Sequence, residues 1–151
     1  MKNDNKGFSL IELIVVIAIM AILVGVMAPN VLKYVESSRE SADKQIADTV
    51  RTAVMTALVD PSVNDGPGVP LAKTAITADV FKKTATPATK FAAVFEENLG
   101  MDGTAATAAL KSKKFKSGTI SVVITSSNEV EVLIDSSDAS HQFSTKNGDT
   151  K

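Results

Sequence analysis

The chain reads as an α+β protein in which one long N-terminal helix packs on a small C-terminal antiparallel sheet. Three observations predict this. From Phe8 to Ala28 run 21 residues of which only Ser9 and Glu12 are plainly polar. From Val31 to Leu58 apolar residues recur at helical spacing, and Asp60-Pro61 ends the run. Between Ile120 and Ile134 two short segments alternate in the strand pattern on either side of a polar turn.

The long helix is expected from Phe8 to Val59. Its first part, residues 8–28, is about 31 Å long at 1.5 Å per residue, which matches the hydrocarbon core of a bilayer. Its second part, residues 29–59, keeps a stripe of Ile46, Val50, Ala53 and Ala57. Glu36, Arg39, Glu40, Asp43, Lys44, Asp48 and Arg51 are assigned to the other faces. Pro29 falls inside this helix. Its ring removes a donor and crowds the carbonyl four residues back, that of Gly25, so a kink or local unwinding is expected between Gly25 and Pro29.

Residues 60–151 form the expected globular head. Asp60 to Gly68 is a loop by composition. Thr77–Thr84 is expected as a short helix, Pro87–Leu99 as a better one with Gly100 after it, and Thr104–Leu110 as a helical turn or loop. Strands are expected at residues 120–124 and 130–134, joined by a hairpin turn over Thr125–Glu129. A third short strand is expected at His141–Thr145, and the tail from Asn147 reads as frayed.

Composition narrows the function classes. A formal net charge of −1 provides no global field to recruit nucleic acid or anionic lipid. Cysteine is absent, which excludes disulfides, thiolate metal sites, thiol catalysis and a lipoprotein anchor.

The N-terminus admits three readings. A secretory signal peptide would use Lys2 and Lys6 as its charged region and Val26-Met27-Ala28 as its cleavage site, but Glu12 interrupts the apolar stretch and Pro29 follows the cut. A plain membrane anchor accounts for the length and for the flanking lysines, which favour a cytoplasmic N-terminus. It accounts for neither Glu12 nor the position of Gly7. An acidic residue at the centre of a membrane helix costs about 2.5–3.5 kcal/mol, less towards an end, so such a residue usually has a partner.

The third reading accounts for all of these features. Lys6-Gly7-Phe8-Ser9-Leu10-Ile11-Glu12 resembles the processing motif of type IV prepilins and pseudopilins. The resemblance covers residues 1 to about 58 and hardly touches the rest. It implies a pilin-like fold and a leader, residues 1–7, that a prepilin peptidase removes between Gly7 and Phe8. It further implies N-methylation of Phe8 and a role for Glu12, with Phe8, in assembly, where the glutamate neutralises a neighbouring subunit's N-terminal amine. Relatives often carry a second glycine in the helix where Ala21 stands here, and many close the head with a disulfide that this chain cannot form.

The expected function is a structural subunit of a type IV pilus, not an enzyme, with no cofactor. The implied partners are the peptidase, other copies of the chain, other pilins and an inner-membrane assembly platform. The prepilin would sit in the plasma membrane and the assembled filament on the cell surface, for adhesion, motility or DNA uptake. The alternative is a pseudopilin of a type II secretion or competence system. Major secretion pseudopilins tend to place a Tyr-containing Asn-Gly-x-Tyr-Pro segment after the long helix, and none follows residue 58.

Other candidate sites carry less. His141 among serines and aspartates can be drawn as a hydrolytic triad, but one histidine among so many such residues is a chance grouping. Asp135 and Asp138 lack the spacing and turn glycine of an EF-hand, so no metal site is assigned. Lys111, Lys113, Lys114 and Lys116, with Phe115 among them, form the densest basic patch. They are either a solvated surface or a contact for DNA, anionic cell-wall polymer or a host surface.

Overall fold

The computed structural model describes residues 8–63, 71–85, 89–127, 129–137, 140–146 and 148–149. In chain order they form helix α1 (Leu10–Val59), strand β1 (Leu71–Ala75), a 3-10 turn (Asp79–Phe81), α2 (Lys90–Leu99), α3 (Gly103–Ala108), β2 (Thr119–Ile124), β3 (Val130–Asp135), β4 (Gln142–Ser144) and β5 (Gly148–Asp149). The class is α+β, as the sequence predicts. Two compact units divide the chain, Met1–Glu36 and Ser37–Lys151.

The first unit is helical from Leu10 onward, and every residue from 8 to 35 is exposed. The helix is continuous through Gly25 and Pro29. Because Pro29 has no N–H, the Gly25 carbonyl lacks its usual intrahelical donor there. Gly7 and the rest of the expected leader lie outside the described residues.

In the second unit, α1 buries Asp43, Ala47, Val50, Ala53, Val54 and Ala57. This buried face shares Val50, Ala53 and Ala57 with the expected stripe, but Ala47 replaces Ile46, which is only half-buried, and Val54 joins it. Asp43, assigned above to a charged face, is only 1% exposed.

The sheet has the order β1-β2-β3-β4-β5, every pair antiparallel. The β2–β3 register sets Ile120 opposite Ile134, Val122 opposite Val132 and Ile124 opposite Val130. These six alternate residues are buried together with Val50, Val54 and Ala57 of α1 in one core. Period-2 alternation puts one whole set on the helix side of the sheet. A second part of the core is aromatic: Phe81 stands 5.8 Å from Phe91 and 5.2 Å from Phe95, centroid to centroid.

Local chemistry marks the helix ends. Thr89 accepts from the Ala92 N–H at 3.1 Å to cap α2, and Gly100, at φ 74°, closes it. Asp102 accepts from the Ala105 N–H at 2.7 Å to cap α3. Several expected boundaries shift. The helix over Thr77–Thr84 reduces to the 3-10 turn, and α2 begins at Lys90, with Pro87 outside the described residues. Two strands are additional, β1 and β5, the latter within the tail expected to fray. Thr125 N–H donates to the Glu129 carbonyl at 3.0 Å across the hairpin, whose Asn128 lies outside the described residues.

Candidate functional site

The first unit presents an apolar helix with one carboxylate near its tip. Ser9 precedes the helix and Glu12 is its third residue. The first N–H groups of any helix lack intrahelical acceptors. Here the Ser9 N–H donates to Glu12 Oε2 at 2.8 Å, and the Leu13 N–H donates to the Ser9 carbonyl at 3.3 Å. This is the glutamate half of a capping box, in which the third helical residue reaches back to the residue before the helix. Reading Glu12 only as a charge in the wrong place misses this. The Ser-x-x-Glu spacing of Ser9 and Glu12 is the signal that finds it.

Around the carboxylate, Phe8, Ile11, Val15 and Val16 line an open apolar groove of about 370 Å³. Phe8 is 92% exposed. The helix is long and apolar enough to cross a membrane, and no residue of its most apolar 18-residue window is buried inside the structure. An apolar surface of this extent needs lipid or protein to cover it.

The basic patch lies in the second unit, in the loop between α3 and β2. Lys111, Lys113 and Lys116 are exposed and Lys114 half-buried. Two anchors hold the loop. Asp43 accepts from the Lys111 N–H at 2.9 Å, the Ser112 N–H at 3.0 Å and the Ser112 hydroxyl at 2.5 Å. Phe115 is fully buried in the core. The interleaved aromatic is therefore an anchor and not a contact surface. Lys114 Nζ lies 5.6 Å from the Phe115 ring centroid.

His141 is exposed, and its Nδ1 lies 2.7 Å from the hydroxyl of the adjacent Ser140. Asp135 pairs with Lys73 at 2.6 Å and accepts from Gln142 Nε2 at 2.6 Å, while Asp138 lies outside the described residues. Among the described residues no group of three His, Asp or Glu side chains could hold a metal ion.

Comparison with known proteins bears on part of the chain. The family model of the prokaryotic N-terminal methylation motif matches residues 2–28. Over 63 residues the chain is 38% identical to the prepilin peptidase-dependent protein A of Clostridium perfringens, covering 42% of this chain and 45% of that one. Over 60 residues it is 40% identical to a type IV major fimbrial protein of Dichelobacter nodosus, covering 40% and 38%. Over 53 residues it is 48% identical to the type IV wide pilus major component of Thermus thermophilus, covering 35% and 34%. The chain thus spans less than half the length of these relatives. No solved structure matches.

Proposed function

We propose that the chain is a type IV pilin, the structural subunit of a surface pilus, and that it polymerises through its N-terminal helix. The observation that carries this reading is the wholly exposed apolar helix with Glu12 capped at its tip. In lipid that surface is covered by acyl chains, and in a filament by copies of itself. The role is structural and not catalytic. The prepilin would wait in the membrane, meet an assembly platform there, and leave it for the cell surface.

Cleavage after Gly7 would leave an amine on Phe8, which is largely protonated at neutral pH. Methylation keeps that charge. Glu12 lies four residues away, one turn along the helix. A carboxylate offers about four lone-pair sites, so its bond to the Ser9 N–H leaves capacity for the ammonium of an incoming subunit. Pairing the two relieves the cost of an isolated charge in apolar surroundings. Gly25 and Pro29 supply the point where the helix bends or unwinds during packing.

The first test is intact-mass and N-terminal analysis of the protein from its native membrane or sheared surface fraction. A chain that starts at Phe8 with one added methyl is expected. Retained Met1 or a start at Pro29 would overturn the reading. Glu12→Gln keeps the shape and removes the charge. It is expected to leave processing intact while reducing surface filaments roughly tenfold or more, since breaking such a pair costs about 3–5 kcal/mol. The names of the relatives, fimbrial and pilus components, support the pilus over the secretion pseudopilin. Long surface filaments in electron micrographs would separate the two.

A further inference from the structure

The apolar run of the sequence closes at Ala28, but the apolar surface of the structure does not. Helix α1 continues through Pro29, and beyond it Val31, Leu32 and Val35 remain exposed, Leu32 to 70%. Charge gives the span different bounds. Residues 13–32, the 20 positions between Glu12 and Lys33, carry no charge. At 1.5 Å per residue they cover about 30 Å, the thickness of a bilayer's hydrocarbon core. Phe8–Ala28 has nearly the same length, so two seats in the bilayer compete. Seating Phe8–Ala28 takes the Glu12 carboxylate about 6 Å into the hydrocarbon and leaves Val31 and Leu32 outside it. Seating residues 13–32 puts Glu12 at the boundary and covers both apolar residues. Its cost is Asn30, a neutral amide about 3 Å inside the far edge, which is cheaper to desolvate than a carboxylate.

Around Pro29 the helix sorts its residues by face. Asn30, Lys33 and Tyr34 stand at i, i+3 and i+4, while Ala28, Val31, Leu32 and Val35 share the opposite side. Lys33 is exposed, and Tyr34 is 77% exposed. Side chains on a helix lean toward its N-terminus, so the Tyr34 ring covers the last turn of the uncharged span. An ammonium on a flexible apolar stem and an aromatic ring with a polar tip are the side chains that suit a membrane–water boundary.

We propose that Lys33 and Tyr34, with Asn30 beside them, form a contact for phospholipid headgroups that seats residues 13–32 in the bilayer. The inference deepens the reading of a prepilin that waits in the membrane, and it rests on that reading. The Lys33 ammonium meets phosphate oxygens, and the Tyr34 hydroxyl donates to a phosphate or ester oxygen. Glu12 holds the other boundary. Length selects lipid over protein as the partner. The spacing from Glu12 to Lys33 equals the hydrocarbon thickness, a match that a bilayer requires and a protein surface does not.

Tyr34 is the one tyrosine of the chain and tryptophan is absent, so tyrosine emission reports this position alone. The test inserts the uncut full-length chain into vesicles of phosphatidylcholine and phosphatidylglycerol. Ring depth is then measured by quenching with nitroxides placed at the headgroup and at successive acyl positions. The proposed seat puts Tyr34 about 3 Å beyond the hydrocarbon boundary, against about 9 Å for a seat that ends at Ala28. A depth near the larger value, with iodide quenching as complete as for free tyrosine, would overturn the proposal. Lys33→Leu extends the uncharged run to Val35 and is expected to draw the ring inward by up to about 4.5 Å, the three residues to Glu36. Lys33→Arg should keep the wild-type depth. An unchanged depth in Lys33→Leu would remove the lysine from the seat and overturn the proposal. Lys33 lies outside the folded core, so the thermal midpoint of the head should hold in both variants. Absence of processing or of filaments would count against the pilin reading, while the vesicle measurement still tests the seat. Filaments built from a chain whose Tyr34 rests in water would overturn the seat alone.

Discussion

Asp43 shows how one side chain can hold two distant segments together. Its carboxylate meets three donors on Lys111 and Ser112 while almost fully buried. Asp43→Ala would leave those donors without an acceptor, at a cost of about 1–3 kcal/mol, measurable as a lower thermal midpoint of the solubilised protein. A midpoint equal to wild type would mean that water replaces the carboxylate. At the end of α1, Asp60 is held below the usual carboxylate range by the Ser62 hydroxyl at 2.6 Å and then by the Ser62 N–H at 2.7 Å. A lowered folded value means that the turn's contribution is present at neutral pH and is lost as pH falls through that value. Proton-detected titration of Asp60 should show the depression, and Ser62→Ala should lift most of it.

At the scale of elements, the joint between the lysine turn and β2 is the tightest place. A Cβ on Gly118 would lie 2.1 Å from the Asp135 carbonyl oxygen and 2.8 Å from that of Phe115, both backbone atoms that cannot easily give way. Gly118→Ala is expected to destabilise the head by several kcal/mol, or about as much as a large core deletion. The aromatic cluster offers the comparison. Phe95→Ala should cost about 3–5 kcal/mol because Phe81, held in the 3-10 turn, and Phe91, one turn earlier on α2, cannot fully collapse into the space. Lys73 and Asp135 join β1 to β3 across the intervening β2, yet the lysine is 47% exposed. Lys73→Ala should therefore change stability by no more than about 1 kcal/mol. A larger loss would mean that the stem of Lys73 shields the sheet as well as pairing its charge.

At the scale of the molecule, the two units differ in what stabilises them. The second has its own core, and the first is a helix whose apolar surface is exposed among the described residues. Heating in detergent should melt the head in one cooperative transition while helical signal from the apolar segment persists in far-ultraviolet circular dichroism. Complete loss of helix in the same transition would show that the segment depends on the head. Reductant should leave the midpoint unchanged, since the chain has no cysteine.

The sequence by itself determined the long helix, its apolar and amphipathic parts, the β2–β3 hairpin and the cluster of residues at the N-terminus. Helical and strand periodicities are local properties, and Ile120, Val122 and Ile124 reveal their common face without knowledge of what covers it. The capping bond of Glu12 was legible too, through its three-residue spacing from Ser9. Tertiary structure alone decided the burial of Asp43, whose partner Ser112 is 69 residues away. It also decided β1 and β5. Residues 71–75, Leu-Ala-Lys-Thr-Ala, show no clear alternation, and their register with β2 is irregular between Leu71 and Thr74. Gly148 and Asp149 are poor strand formers that extend the sheet by pairing with β4. A strand with weak intrinsic preference forms where a neighbour's open edge supplies the hydrogen bonds, and that edge exists only once the chain has folded.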